Sequence, residues 1–382
     1  MYFIIKRMDN PFKNIFSNIK MFKSASSDSA VGIDIGSSSI KVVEIKKKKG
    51  KVLLQTYGMI SLGPYADLDM GKVTNLSIDK IVLAVKEVLK QSGVVTKAAA
   101  VSLPIQSSLI FSVELPSNVK EGEIASIIPT EARKYIPVPI TEVSLDWFLM
   151  PKKETSFEES NNPDVPVLPP QKKEVLVVAI QNDALAKYKS IVNESNLDVG
   201  FFEIEIFSSI RANLGHELSL VLLMDFGASR TKLSLIEFGA VKSFHTIPRG
   251  GADITESISQ SLSIPFNKAE EKKKEFGLFG DPQEKSLADI IKVHMDYIFS
   301  ETNNVLLGYE RKHNQTISKV IITGGGSMLK GLKEIALSNF KAEVEIGNPF
   351  SKVGAPEFLE KVLEAIGPEF AIGVGLALRK LQ

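Results

Sequence analysis

Two segments of the chain repeat one arrangement of residues able to handle phosphate. Val31-Gly-Ile-Asp34-Ile-Gly36-Ser37-Ser38-Ser-Ile-Lys41 and Leu222-Leu-Met-Asp225-Phe-Gly227-Ala-Ser229-Arg-Thr231-Lys232 share one plan: an apolar strand, Asp, Gly, a small residue, Ser, then Lys on a second strand. The offsets from Asp to Gly, Ser and Lys are the same in both. Glycine lets the backbone bend sharply and approach a bulky anion. Successive N–H groups in such a turn form a concave anion site, and serine hydroxyls add donors. The Asp repels a phosphate, but it can hold a hydrated Mg²⁺ that bridges to phosphates, or orient a water near a terminal one. One Asp-x-Gly is as readily a tight turn between buried strands. Two copies with matched flanks favour two related domains gripping one ligand from opposite sides.

A third cluster, Gly324-Gly325-Gly326-Ser327, follows the apolar run 320–323 and precedes a helical stretch. Such a junction brings backbone close to a flat ligand or a phosphate, with the helix N-terminus favouring anions. It is not a Walker A loop, since no Gly-Lys-Ser/Thr follows. It also lacks the spacing and the early position of a dinucleotide fingerprint.

The elements that must position these residues are legible in outline. Residues 31–62 read as strand, glycine turn, strand, basic turn, strand. Residues 78–89 repeat apolar side chains at helical spacing (Ile81, Val85, Val88, Leu89). A strand is expected at 101–103, a helix at 123–135 interrupted near Pro129, a strand at 175–180 and a helix at 184–192. Residues 152–173, rich in Pro, Asn, Glu and Lys, read as a long hairpin loop or local disorder inside a small domain. Trp147 falls in a strand-like stretch, as core or interface packing. The second half reads as strand–turn–strand over 218–236, helices at 254–262, 268–276 and 287–311, a strand at 320–323, then a helix. A short strand at 342–346 and a last helix from Phe370 complete it. This order predicts α/β architecture, mixed sheets covered by helices.

At 382 residues the chain exceeds one compact core, and 44% hydrophobic with 24% charged residues is an ordinary globular balance. Lys+Arg at 46 against Asp+Glu at 45 gives no whole-chain footprint for nucleic acid. The absence of cysteine excludes disulfides and zinc–thiolate sites and fits a reducing cytoplasm. His216, His245, His294 and His313 are scattered, so no metal cluster is expected from them. No apolar run approaches the roughly 18–20 residues that span a bilayer, and Lys6, Arg7 and Asp9 break the apolar start.

The duplicated hairpin with a late Gly-Gly-Gly resembles the actin, Hsp70 and sugar-kinase superfamily. Within it, Val31-Gly-Ile-Asp-Ile-Gly-Ser-Ser-Ser-Ile-Lys-Val-Val-Glu-Ile45 is closely similar to the opening of the PilM family of type IV pilus assembly proteins. Tyr135-Ile-Pro137, Arg249-Gly-Gly-Ala-Asp-Ile-Thr255, Ile321-Ile-Thr-Gly-Gly-Gly326 and Gly375-Leu-Ala-Leu-Arg379 match in the same order, over about residues 31–380. The first hairpin is the most specific of these.

The resemblance implies an actin-like (ribonuclease H-like) fold, duplicated domains around a nucleotide cleft, with the inserted subdomain shared by PilM and the cell-division protein FtsA. Residues 1–29 form a leader, 30–97 with 181–215 the first domain, 98–180 the insert and 216–382 the second domain. Within the last, 253–315 is a helical subdomain, and the final helix packs back on the first domain. The implied cofactors are ATP and Mg²⁺. Asp34, Gly36, Ser37, Ser38 and Lys41 form the first phosphate loop, and Asp225, Gly227, Ser229 and Thr231 the second. Gly250 and Gly251, and Gly324, Gly325, Gly326 and Ser327 as an adenosine motif, complete the cofactor set. Asp34 and Asp225 hold Mg²⁺ through water and join Glu205, placed near the attacking water, as the catalytic group. The family more often has Asp where this chain has Glu203. Glu270 and Lys273 resemble a pair contacting ribose and adenine; a solvated helix face is the other reading.

The function implied is an ATP-binding cytoplasmic scaffold at the inner face of the cell membrane. It binds the cytoplasmic N-terminal tail of a PilN-like protein, within a platform ring or homo-oligomer, with at most slow ATP hydrolysis and no nucleic acid. The runner-up is an FtsA-like filament protein, although such chains usually end in an amphipathic helix after a linker. A small-molecule kinase would need a residue to deprotonate its acceptor, and the insert offers no separate candidate. An Hsp70-like chaperone would need a substrate-binding β-domain after the last motif. Lys46-Lys-Lys-Lys49-Gly-Lys51 reads as a solvated hairpin turn, with an anionic partner or lipid surface as the alternative. In the leader, Phe12, Ile15, Phe16, Ile19 and Phe22 lie at helical spacing among Lys6, Arg7, Lys13, Lys20 and Lys23. That suits a helix on an anionic membrane or in a partner's groove, or a disordered tail.

Overall fold

The computed structural model describes residues 28–150, 172–215 and 217–381. The leader reading up to residue 27, the polar stretch 152–171 and His216 lie outside the described residues. The described residues form two compact units, a smaller one within Ile105–Lys187 and a larger one of residues 28–104 and from Tyr188 onward.

The larger unit opens with β1 (Ser29–Ile35), β2 (Ser39–Lys48), β3 (Lys51–Ser61), α1 (Ile78–Gln91) and β4 (Ala98–Leu103). The apolar stripe of α1 buries Ile81, Val82, Val85 and Val88, as its spacing requires. The expected insert boundary at 98 is corrected here. All of β4 is buried and pairs in parallel with β1, so it belongs to the first sheet and the smaller unit begins at Ile105.

The smaller unit contains β5 (Ser108–Leu115), α2 (Glu121–Ala132), β6 (Val143–Leu149) and β7 (Lys173–Gln181), and its boundary at Lys187 falls inside α3 (Asn182–Glu194). Its antiparallel sheet has the order β5-β7-β6, with Val113, Val175 and Val177 packed under Ile124, Ile128 and Ala132 of α2. Pro129 does not interrupt α2. Burial of Ile128 before it and Ala132 after it holds the helix through the proline.

The larger unit resumes with β8 (Asp198–Ile204), α4 (Glu205–Asn213), β9 (Val221–Phe226), β10 (Thr231–Glu237) and β11 (Ala240–Ile247). Then come α5 (Gly251–Leu262), α6 (Phe266–Phe276), α7 (Ser286–His313), β12 (Lys319–Thr323), α8 (Leu332–Asn339), β13 (Glu343–Ile346), α9 (Glu360–Ile366) and α10 (Ala371–Lys380). Its two five-stranded sheets have the orders β3-β2-β1-β4-β8 and β11-β10-β9-β12-β13. In each, the first three strands are antiparallel neighbours and the last two join in parallel. Even the register repeats: Asp34 faces Lys41 and Asp225 faces Lys232.

The second sheet packs Leu222, Met224 and Leu233 against Ile291, Met295 and Phe299 of α7. The last helix, α10, lies on β1 and α4, with Val374 and Ala377 against Ala30 and Val43. This approach needs glycine, since a Cβ on Gly32 would overlap the Gly373 carbonyl and one on Gly375 the Ser208 carbonyl. Among the described residues no helix is long and apolar enough to cross a membrane.

Candidate functional site

The two Asp–Gly turns have the same construction. Gly36 N–H donates to Ser39 O at 3.0 Å, and Gly227 N–H donates to Arg230 O at 3.0 Å. In each, an added Cβ on the glycine would sit 3.0 Å from that same oxygen, so both turns are as tight as a side chain allows. The turns meet, with Ser37 Oγ donating to Ser229 Oγ at 3.1 Å. Each is buttressed from behind. Thr74 N–H and Leu62 N–H donate to the Ser37 and Ser38 carbonyls, and Gly251 N–H and Ala252 N–H to those of Gly227 and Ala228.

Behind the turns lies a buried cluster of charge. Lys232 Nζ donates to Glu205 Oε2 at 2.7 Å and to Asp225 Oδ2 at 3.1 Å. Ser102 Oγ donates to Asp34 Oδ1 at 2.9 Å. Burial pushes the Asp34 carboxyl above its usual pKa, opposed by Lys41 and Lys232 and reinforced by Asp225. Glu205, the first residue of α4, is likewise raised by burial, opposed by Lys232 and reinforced by Asp225 and Asp34. Burial pulls Lys232 down, but Asp225 and Glu205 outweigh it and hold the ammonium above its usual value. Burial, then Glu205 and Asp34, raise the Tyr188 phenol.

Lys41, the counterpart of Lys232, stands 3.8 Å from Glu369 Oε1. Glu369 lies in the 3-10 turn Gly367–Phe370 just before α10, and its carboxylate would sit 3.2 Å from a Cβ on Gly325. Each duplicated lysine therefore pairs with a glutamate at or just before the start of a linking helix, Glu205 for α4 and Glu369 for α10. Those two helices pack on each other.

Among the described residues no group of three or more His, Cys, Asp or Glu is arranged as a metal cage. Hard carboxylate oxygens at Asp34 and Asp225, each beside a glycine turn, are the donor type that a hydrated Mg²⁺ takes together with water and phosphate. The donor set suits Mg·nucleotide on that ground.

In the third glycine cluster, Gly324 has φ +82° and packs so closely that a Cβ would overlap Asp225 Oδ1. A Cβ on Gly326 would overlap the Phe226 ring. The glycines run into a 3-10 turn, Gly325–Met328, and α8 starts only at Leu332, so the expected helix N-terminus does not abut them. Ser327 Oγ donates to Gly324 O at 2.7 Å, which commits that hydroxyl to closing the turn. Gly250 packs on the second Asp–Gly turn, where a Cβ would overlap Ala228 O.

Lys273 Nζ donates to Gly251 O at 2.8 Å and Thr255 Oγ1 at 2.7 Å, and it pairs with Glu270 at 2.7 Å. Glu270 and Lys273 thus tie α6 to α5, and the solvated-face reading is corrected for both. Burial lowers Lys273, partly offset by Glu270. Burial would raise Glu270, but Lys273 outweighs it. Thr231 is also corrected as a ligand. β10 turns Lys232 toward Asp225 and therefore Thr231 to the opposite face, where its buried hydroxyl donates to Arg249 O at 2.9 Å.

The structure thus brings Asp34, Lys41, Glu205, Asp225, Ser37, Ser38, Ser229 and the three glycine clusters together around one region. Sequence reasoning missed Lys232, Glu369, Ser102 and Tyr188 as site residues. Lys232 carried a signal, its offset from Asp225 equalling that of Lys41 from Asp34. The other three are placed by long-range packing and carry no local one.

A duplicated five-stranded sheet with facing Asp–Gly turns is the actin-like ATPase fold. A solved PilM–PilN type IV pilus biogenesis complex matches with TM-score 0.76 at 24% identity, covering 94% of this chain and 100% of that one. The ethanolamine utilization protein EutJ of Carboxydothermus hydrogenoformans matches with TM-score 0.51 at 16% identity, covering 96% and 94%. Cell division protein FtsA of Staphylococcus epidermidis is 26% identical over 367 residues, 86% of this chain and 76% of the relative. The FtsA of Pseudomonas aeruginosa is 24% identical over 390 residues, 92% and 89% respectively. The family described as type IV pilus assembly protein PilM matches residues 32–381, and the chain belongs to that family.

Proposed function

We propose that the protein is an ATP-binding scaffold of the type IV pilus inner-membrane platform, holding Mg·ATP between the Asp34 and Asp225 turns. One observation carries the reading: two hairpins of identical register meet through Ser37 and Ser229, with Lys232 joining Asp225 to Glu205 behind them. N–H groups of the two turns other than those of Gly36 and Gly227, which close the turns, donate to phosphate oxygens. Asp34 and Asp225 hold the cation through water, and Lys41 and Lys232 supply positive charge. When bound, Mg²⁺ neutralises phosphate charge. Glu205 would orient a water, but its Oε2 is already committed to Lys232, which favours slow hydrolysis or none. Binding of the cytoplasmic tail of a PilN-like protein is supported by family membership and by the likeness to a complex with PilN. It would hold the chain in the cytoplasm at the inner face of the membrane.

Titration calorimetry tests the nucleotide site. Mg·ATP binds the parent chain, and Asp34→Ala weakens binding at least tenfold if a Mg²⁺-mediated contact is lost, about 1.4 kcal/mol. Unchanged affinity rejects the reading. Pull-down with N-terminal peptides of PilN-like proteins, with and without ATP, tests the partner. The FtsA relatives favour a filament as the second reading, and nucleotide-dependent sedimentation of the chain alone would support it.

A further inference from the structure

The hairpin joining β2 to β3 carries charge that the nucleotide site does not use. Lys46, Lys47, Lys48, Lys49 and Lys51 are all exposed. Lys47 Nζ reaches the Leu381 carbonyl at 3.4 Å. Among the described residues, none of the other four has a carboxylate partner. Lys49 has φ +50° and Gly50 φ +78°, a two-residue turn that needs left-handed backbone at both positions. Asn, Asp or Gly fits the first position with little strain, whereas lysine does not. The turn therefore keeps a positive charge where its own geometry disfavours that residue.

A cleft of about 410 Å³ runs along the hairpin, lined by Lys46 to Lys49 with Asp28, Leu53 and Gln55. Lys47 N–H donates to Asp28 O at 2.6 Å, which fixes Asp28 at the edge of the cleft. Residues 1–27 add Lys6, Arg7, Lys13, Lys20 and Lys23 against Asp9.

We propose that this hairpin is a docking surface for an anionic lipid bilayer. It deepens the peripheral placement above by assigning the contact to folded residues. Extended ammonium groups, four of the five without a carboxylate or carbonyl partner among the described residues, suit a diffuse layer of headgroups better than a single anion in a built pocket. Residues 46–53 offer no aromatic or arginine side chain to stack a base, which disfavours a nucleic acid.

The test is flotation of the full chain with vesicles of phosphatidylcholine alone and of equal parts phosphatidylcholine and phosphatidylglycerol. Each lysine near such a surface contributes about fivefold in partitioning, so Lys48→Gln/Lys49→Asn/Lys51→Gln binds about a hundredfold more weakly. Binding is confined to the anionic vesicles and falls with salt. Melting temperature is kept or raised, because Asn suits the turn. Mg·ATP affinity, read on the same samples, stays at the parent value, which separates this proposal from the nucleotide reading. The proposal is overturned if the full chain ignores anionic vesicles or binds neutral ones equally. Retention of parent binding by the triple variant overturns it too, including the case where only removal of residues 1–27 abolishes binding. A polynucleotide bound through these lysines in place of vesicles is likewise a refutation.

Discussion

Replacing Glu203 by glutamine should remove a pH-dependent part of the fold's stability. Glu203, on β8, is 0% exposed. Arg211 grips it through two nitrogens at 2.7 and 2.8 Å, Arg379 of α10 donates at 2.5 Å, and Ser208 Oγ donates as well. Burial alone would raise its pKa, but Arg211 and then Arg379 outweigh it and bring it from the ordinary 4.5 to about 2. At about 1.36 kcal/mol per pH unit, that gap is worth roughly 3.4 kcal/mol. The folded pKa is depressed, so this stability is fully present above 4.5 and is lost as pH falls through the folded value of about 2. Glu203→Gln keeps the shape but leaves two guanidinium groups with a neutral partner. At about pH 6 the variant should be less stable by about 3 kcal/mol, within the cost of breaking a buried pair. At about pH 2.5, where Glu203 itself is partly protonated, the difference should shrink below about 1 kcal/mol. Urea denaturation followed by far-UV circular dichroism, parent and variant side by side, reads the difference and cancels the other carboxylates. A stability gap that is constant across that range would refute the reasoning.

Two further outcomes are expected. Gly375→Ala should cost about 3 kcal/mol, since its Cβ overlaps backbone of α4. Gly200→Ala, which meets only the flexible end of Lys380, should cost far less, and urea midpoints of the two variants check the contrast. Lys72 lies 3.7 Å from Glu256 and 4.9 Å over the Phe266 ring, on the 62–77 loop that also donates to the Ser37 and Ser38 carbonyls. Lys72→Ala should leave stability within about 1 kcal/mol of the parent but release a fluorescent ATP analogue severalfold faster in stopped flow; an unchanged release rate would argue against a strap over the site.

What the sequence made legible was what local pattern determines. The Asp–Gly turns, their flanking strands and α1 follow from spacing and apolar periodicity within short windows. β4 was only half read, because Ala98-Ala-Ala-Val-Ser-Leu103 has weak strand propensity and is fixed by parallel pairing with β1 and β8. Pro129 misled because tertiary burial of its neighbours outweighed a local rule. β5, β8, β11 and α4 lacked a decisive local period.

Glu203 and Glu205 show the limit most clearly. Two residues apart in a strand they would share one face, so period alone does not choose between them, and only the family resemblance singled out Glu205. The chain passes from β8 into α4 at Glu205, and this change of backbone turns the two carboxylates to different partners. Glu203 goes to Arg211 and Arg379, a pair tying α10 to the first sheet, and Glu205 goes to Lys232. The same logic assigns Glu369, whose sequence context shares nothing with Glu205. Duplication gave each half a lysine seven positions after its Asp. It also left each lysine beside a linking helix, so the glutamate that pairs with it is set by the fold's internal repeat and not by any motif. A carboxylate at that place was therefore predictable from the topology once Glu205 was known, and from nothing shorter than the topology.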